Sequence, residues 1–174
     1  MQKFKSTLII ILMFFIVYFL QLNFFSWFNI AGIKPNLFIP LVLFVGLYVG
    51  KKLGILYGMC LGLILDITIG RAIGMNAILL GIVGYVGEVY DRNFSKSKKI
   101  SIIILNVLCL TIFETIEYAI LCLGFKANVE ISLFIEKLIV ENLYNILIII
   151  IFFEPMKNLG SYIEKNFKDR LFLT

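Results

Sequence analysis

Two apolar runs limit what this chain can fold into. The segment TLIIILMFFIVYFL lies near the N-terminus and NILIIIIFF lies near the C-terminus, and neither contains a charged residue. A helix needs ~20 apolar residues to cross the hydrocarbon core of a bilayer, so such runs predict membrane-spanning helices. The chain of 174 residues is 61% hydrophobic, whereas soluble domains are roughly 45–50% apolar. The sequence therefore predicts an all-α polytopic membrane protein.

Apolar stretches separated by polar loops predict six transmembrane helices in a compact bundle. We place them at residues 6–28, 36–50, 53–69, 72–90, 100–123 and 131–153. The first helix is expected to be retained, because no small-residue cleavage site of a signal peptide follows it. Pro155 is expected to end the sixth helix. This divides the chain into a transmembrane domain at 1–155 and a cytoplasmic tail at 156–174.

The predicted tail carries apolar residues about one turn apart, with lysines and an arginine elsewhere on the helical wheel. The apolar positions are Leu159, Ile163, Phe167 and Leu171. An amphipathic helix of this kind lies in the membrane interface and is attracted to anionic lipid. A frayed polar tail is the alternative.

The basic residues indicate the orientation. Six spans place both termini on one side, and the side that holds more lysine and arginine is cytoplasmic. That side would carry Lys3, Lys5, Lys51, Lys52, Arg92, Lys96, Lys98, Lys99, Lys157, Lys165, Lys168 and Arg170, against Lys34, Arg71, Lys126 and Lys137 on the other. We therefore predict a multi-pass protein of the cell membrane with both termini in the cytoplasm. The net charge of +5 then reports orientation and not nucleic-acid binding.

Small residues recur at every fourth position of the third predicted helix, and a carboxylate takes the next place: Gly54, Gly58, Gly62 and Asp66. Such residues share one face of a helix and let two backbones approach closely. The groove suits either packing within the bundle or docking of a partner's helix. Asp66 lies about one turn from the helix end, where two kinds of role are open. One is structural, in which Asp66 hydrogen-bonds the following turn, GRAIGMN, or pairs with Arg71. The other is direct contact with a partner or ligand.

A second polar group lies within the fifth and sixth predicted helices: Glu114, Glu117, Glu141, Asn142 and Asn145. Glu114 and Glu117 are three residues apart and thus neighbours on one helix face. Two such carboxylates are not both ionised without cost, so we expect one to be protonated or paired with a lysine such as Lys126 or Lys137. Charged residues within spans usually face the bundle interior. Together with Asp66, this group is a candidate lining for a common polar interior.

No catalytic pattern accompanies these residues. The chain has no histidine, which removes the commonest metal ligand and general base. Asp66 is the one aspartate within a predicted span, whereas an intramembrane aspartyl protease needs two. The three cysteines lie inside apolar runs and are interpreted as buried packing residues. We therefore expect no enzyme activity, no metal and no cofactor.

The order of these motifs resembles the rod-shape-determining membrane protein MreD family. The residues that carry the resemblance are a short KPN start to the second helix, a glycine ladder that ends in GLILD, and IGRAIGMNAI at the next helix. The closing stretch NLYNILIIIIFFEPMKNL is also similar to that family. The matching positions are Pro35, Asn36, Gly58, Gly62, Asp66, Gly74, Asn76, Ala77, Asn145 and Pro155. Where the family often carries an acidic residue after the proline, this chain has Asn36.

The resemblance implies a non-enzymatic subunit of the elongasome, the machinery that guides lateral peptidoglycan synthesis in bacteria. Its partners would be MreC, the actin-like MreB filament (directly or indirectly), the polymerase RodA and the transpeptidase that works with RodA. The residues Pro35, Asn36, Gly54, Gly58, Gly62, Asp66, Gly74 and Asn76 would form its partner-binding or structural motif.

The family is also similar in shape to the substrate-binding subunits of energy-coupling-factor vitamin transporters, which are six-span bundles with an outward-facing ligand pocket. A small-molecule (vitamin) binding subunit is thus the alternative function. Those subunits use small-residue motifs, typically alanine-rich, on their first helix to meet the coupling protein. The first helix here is bulky throughout, which favours the scaffold.

Overall fold

A computed structural model describes residues 2–30, 32–69, 73–93, 98–124 and 130–168. Helix α1 spans Gln2–Phe19 and continues through a π-helical segment, Leu20–Phe24, and a short α-helical end, Phe25–Trp27. The others are α2 (Phe38–Val49), α3 (Lys51–Ile69), α4 (Met75–Asn93), α5 (Lys99–Gly124) and α6 (Ile131–Lys168). Within these described ranges there is no strand beyond an isolated bridge between Ile30 and Ile33, so the all-α prediction is confirmed.

Within the described part of the chain, three helices are long and apolar enough to cross a membrane. They cover Phe4–Trp27, Lys99–Gly124 and Ile131–Phe167, and α2 is a shorter apolar helix. The predicted helices agree with the observed ones to within a few residues, except at the end of α6. The number of membrane crossings stays a prediction.

Helices α2, α3 and α4 meet along a seam of glycines. A Cβ atom added at Gly46 of α2 would clash with the carbonyl oxygen of Gly84 in α4, and one at Gly84 would clash with the carbonyl of Gly54 in α3. The face of Gly58 and Gly62 is covered in the same way by the α4 backbone. The groove predicted on the third helix is therefore filled by this chain's own α4. Its use as a dock for a partner's helix is excluded while α4 is in place.

The centre of the bundle is α2. From Leu41 to Val49 every residue of this helix is buried, because α3, α4, α5 and α6 all contact it. Helix α1 lies at the periphery, where Phe15 and Phe19 are 69% and 63% exposed. The cysteines differ in burial. Cys109 is buried, as expected, but Cys60 is exposed, because it lies on the face of α3 that points away from the glycine seam.

Helix α6 does not end at Pro155, and the prediction that it would was wrong. The helix continues to Lys168, although proline removes one backbone hydrogen bond. Residues beyond it compensate by packing: Ile163 is fully buried, and a Cβ atom added at Gly160 would lie 2.6 Å from the ring of Tyr48. Asn166 also donates a hydrogen bond to the Ser6 hydroxyl of α1 (2.8 Å). The tail up to residue 168 thus belongs to the bundle.

This packing corrects the expected amphipathic tail. Leu159 and Phe167 lie partly buried against the core beside Ile163, so the apolar stripe faces protein and not lipid. Leu171 lies outside the described residues. Contact with anionic lipid would have to come from the opposite face, where Lys165 is exposed.

A substitution tests this arrangement. Ile163→Ala is expected to lower the free energy of unfolding by about 2 kcal/mol, because it removes buried methyl groups and leaves a cavity. The neighbouring Tyr162 is 49% exposed, so Tyr162→Ala is the matched control and should change little. Unfolding in mixed micelles with a rising fraction of SDS measures both. Equal effects would contradict the packing of the tail on the bundle.

Candidate functional site

The Asp66 carboxylate caps helix α4 from the end of helix α3. Its Oδ2 accepts the backbone N–H of Gly74 (2.8 Å) and of Ala77 (3.2 Å), and its Oδ1 accepts the backbone N–H (3.1 Å) and the side-chain amide (2.9 Å) of Asn76. The first N–H groups of a helix have no partner within the helix, and a negative charge is stabilised there. Gly74 adopts a φ of 98°, a conformation that favours glycine. These are hydrogen bonds to the turn, one of the roles expected for Asp66.

Direct contact between Asp66 and a partner does not fit its burial. The residue is 2% exposed, and both of its oxygens already accept hydrogen bonds from this chain. Arg71, the other expected partner, lies outside the described residues. Asp66 therefore connects the end of α3 to the start of α4 and holds Asn76 in place.

The start of helix α2 is held by side chains in a comparable way. Gln21, in the π-helical part of α1, donates to the carbonyl of Pro35 (2.7 Å) and accepts the N–H of Leu37 (3.1 Å). Asn36 accepts the N–H of Phe38 through Oδ1 (3.2 Å). Two N–H groups at the start of α2, those of Leu37 and Phe38, thus have no partner within the helix but are satisfied by the side chains of Gln21 and Asn36. π-helical segments often occur at functional sites.

Between the start of α2 and helices α1, α4, α5 and α6 lies a cavity of about 250 Å³, which we call the acidic cavity. Its carboxylates are Glu114, Glu117 and Glu141, and Lys34 and Lys137 are its lysines. Amide side chains of Gln21, Asn36 and Asn76 complete its polar lining. The structure therefore brings all three predicted glutamates to one place, whereas Asp66 contributes only through Asn76.

Lys137 is shared by two carboxylates of the acidic cavity. Its ammonium pairs with Glu114 Oε2 and lies 3.9 Å from Glu141 Oε2. Glu114 also accepts a long hydrogen bond from the Asn36 amide (3.5 Å). The pairing of Glu114 with a lysine agrees with one of the two expectations for these glutamates. The other candidate lysine, Lys126, lies outside the described residues.

The two asparagines of α6 make hydrogen bonds to neighbouring parts of the chain. Asn145 donates to the carbonyl of Asn36 (3.2 Å) and so ties α6 to the start of α2. Asn142 donates to the carbonyl of Leu138 (2.8 Å), with a longer contact to the Thr111 hydroxyl of α5 (3.4 Å). Neither residue lines the cavity. Asn145 thus connects α6 to the start of α2, and Asn142 connects it more loosely to α5.

Chemically, this arrangement offers acceptors for hydrogen bonds and negative charge, but no nucleophile beside a base. Among the described residues no group of histidine, cysteine, aspartate and glutamate is placed to hold a metal ion. The site is thus suited to binding and to holding helices together.

Sequence reasoning missed Gln21. It lies in an apolar helix, is followed by Asn23 two residues later, and bridges α1 to α2. A polar residue in an otherwise apolar first helix is a signal that could have identified it, since polar groups within spans seek partners. Its role at the cavity wall could not be found, because that depends on how α1 is rotated.

The fold and the site define the class: an all-α membrane protein whose polar side chains hold helix ends together around one acidic cavity. The chain belongs to the rod shape-determining protein MreD family, whose model matches residues 1–163. No curated protein and no solved structure matches it. Membership places the chain in rod-shape determination, in the machinery that contains MreC and MreB.

Proposed function

We propose that the chain is a non-enzymatic membrane scaffold of the cell-elongation machinery. It docks MreC and links the MreB filament beneath the membrane to RodA and its partner transpeptidase. The observation that carries this proposal is the family match over residues 1–163. The family match gives no support to a vitamin-transporter subunit.

The proposal includes six spans, both termini in the cytoplasm, and a location in the bacterial cytoplasmic membrane. Contacts between helix ends support this topology. Ser6 near the start of α1 bonds Asn166 near the end of α6, and Gly160 of α6 packs on Tyr48 at the end of α2. The opposite end of the bundle gathers Gln21, the start of α2 and the Asp66 cap. Alternating helices of a six-span bundle would produce this grouping.

A partner's transmembrane helix would bind a lipid-facing surface and not the glycine seam, because that seam is closed within the chain. Such surfaces are available on α1 and α5, where Phe15 is 69% exposed and Ile112 is 58% exposed. Exposed Lys165 on α6 is available to anionic lipid or to a cytoplasmic partner. These exposed surfaces are consistent with a subunit that acts by binding other proteins.

The test is a gentle-detergent pull-down of the tagged chain from its native membrane, with the recovered proteins identified by mass spectrometry. We expect MreC together with RodA or its transpeptidase. An unrelated tagged multi-pass protein at the same expression level is the control. Recovery of a membrane coupling protein with two ATPases instead, or of nothing above the control, would reject the proposal.

A further inference from the structure

We propose that a cleft between α2, α5 and α6 binds one anionic phospholipid, with the lipid phosphate at Lys99 and Lys157 and an acyl chain along the cleft. This goes beyond scaffolding, because it assigns a particular ligand to a particular place. The cleft, which we call the lysine cleft, has a volume of about 40 Å³ and is lined mainly by apolar side chains, with Asn106 inside and Lys157 at one end. It shares no lining residue with the acidic cavity.

Two lysines from different helices meet at one end of the lysine cleft. The Lys99 ammonium of α5 lies 5.9 Å from the centre of the Phe153 ring, and the Lys157 ammonium of α6 lies 6.0 Å from the same centre. Phe153 lines the cleft, so both positive charges lie beside one apolar wall. Among the described residues neither lysine forms an ion pair with a carboxylate. Basic pockets between the helices of membrane proteins bind anionic head groups in this way.

The lining of the lysine cleft contains no negative charge. Three carboxylates, those of Asp91, Glu154 and Glu164, lie near Tyr48 at the same end of the bundle, but none of them lines the cleft. The charged side chain in its lining is Lys157. A phosphate held by the two lysines would therefore meet no carboxylate within the cleft.

An unsatisfied amide inside the cleft points to a ligand that carries a hydrogen-bond acceptor. Asn106 is 1% exposed, and within the described ranges neither its Nδ2 nor its Oδ1 has a hydrogen-bond partner. An unpaired amide among apolar side chains is costly. The ester carbonyl of a phospholipid is an acceptor for the Nδ2–H group. Asn106 follows Lys99 by seven residues, which is about 10 Å along one face of α5, so a single lipid can reach both.

The shape of the cleft suits an extended hydrocarbon chain. It runs from Pro40 to Tyr48 on α2 and from Ile149 to Lys157 on α6, which is about 12 Å along each helix. The uncharged run NILIIIIFF ends at Phe153, so the lysine end lies where the head groups of a bilayer begin. The apolar walls include Leu43, Leu47, Ile102 and Met156.

The test is a titration of the purified full-length chain in detergent with dioleoylphosphatidylglycerol, read as the midpoint of thermal unfolding. Dioleoylphosphatidylcholine has the same chains without a net charge and is the matched control, and inorganic phosphate tests for a free anion. A ligand that binds the folded state raises the midpoint in a saturable way. We expect phosphatidylglycerol to bind about tenfold or more tightly than phosphatidylcholine, and inorganic phosphate to cause no shift. Equal affinity for the two lipids, no saturable shift, or a saturable shift with inorganic phosphate would overturn the proposal.

Variants locate the site. Lys99→Gln combined with Lys157→Gln should weaken the affinity for phosphatidylglycerol by about tenfold or more and leave that for phosphatidylcholine unchanged, since both positive charges are lost. Lys52→Gln combined with Lys165→Gln is the matched control, because it removes the same net charge from two exposed lysines outside the cleft. If the first double variant does not fold, Lys157→Gln is compared with Lys165→Gln. Equal weakening in cleft and control variants would mean that the lipid responds to net charge alone, and would overturn the proposal.

Asn106→Leu separates a lipid chain from water as the occupant of the cleft. Water is the rival, because a volume of about 40 Å³ exceeds the roughly 10–15 Å³ that one water molecule needs. If the amide bonds an ester group, Asn106→Leu should weaken the binding of both lipids by about threefold or more. Unchanged affinity for both would place water at Asn106 and the lipid outside the cleft. Because every titration uses the chain alone, failure here would leave the pull-down result, and the proposed function, untouched.

Discussion

Replacing Asp66 with alanine is expected to lower the free energy of unfolding by about 4 kcal/mol, because one carboxylate satisfies the first turn of α4. Three backbone N–H groups and the Asn76 amide would lose their acceptor in a site that is 2% exposed. The favourable charge at the helix N-terminus would be lost as well. Unfolding of the purified variant in mixed micelles measures the change.

Two variants control this result. Asp66→Asn keeps one acceptor oxygen and should cost about half as much. Thr68, two residues later, is exposed and donates only to carbonyls of its own helix, those of Ile64 and Leu65. Thr68→Ala should therefore stay within about 0.5 kcal/mol of the wild type. A loss in Asp66→Ala no larger than in Thr68→Ala would show that the cap contributes little. Any effect of Asp66 on binding of MreC would act through this turn.

Replacing Gly46 with alanine is expected to lower the free energy of unfolding by about 3 kcal/mol, at the upper end of the usual cost of overpacking. The added methyl group would meet the Gly84 carbonyl and lie 3.2 Å from the Cα atom of Gly87. These are backbone atoms of α4, so no side-chain rotation relieves the clash, and α2 and α4 must separate. The same micelle titration measures the loss, together with the yield of folded protein.

Gly124→Ala is the matched control for the glycine seam. Gly124 is exposed at the end of α5, and the nearest atom to an added Cβ, the Ile120 Cγ2 atom of the same helix, is 4.0 Å away. This variant should be neutral or slightly more stable, because alanine favours helix. A Gly46→Ala variant as stable as Gly124→Ala would disprove the close approach of α2 and α4.

The helices were predictable because their cause is local. Apolar runs and intervening polar loops placed all six helices to within a few residues, except where α6 passes Pro155. There the cost of one hydrogen bond is local, but the burial of Ile163 that offsets it comes from distant residues. The glycine spacing in α3 likewise predicted a close helix contact. It could not show that α4 makes that contact, because spacing describes one surface and not its partner.

The candidate site was only partly predictable for a related reason. The spacing of Glu114 and Glu117 places both on one face of α5, but their meeting with Glu141 depends on how α5 and α6 are rotated about their axes. The hydrogen bonds of Asp66 could be predicted from the sequence, because its partners follow within 11 residues along the chain. Gln21 was not, because its contacts to Pro35 and Leu37 need α1 and α2 to be docked.

The glycine seam also has a consequence for the order of events during synthesis. It joins three consecutive helices, so all of its contacts lie within residues 38–93 and can form while the ribosome is still translating α5 and α6. Contacts between segments close in sequence form early, and chains fold from the N-terminal side as they are made. The acidic cavity, which needs α1, α4, α5 and α6 together, closes only after the last helix has been inserted. A chain stalled after α4 would thus leave the translocon with the glycine seam packed but without the acidic cavity.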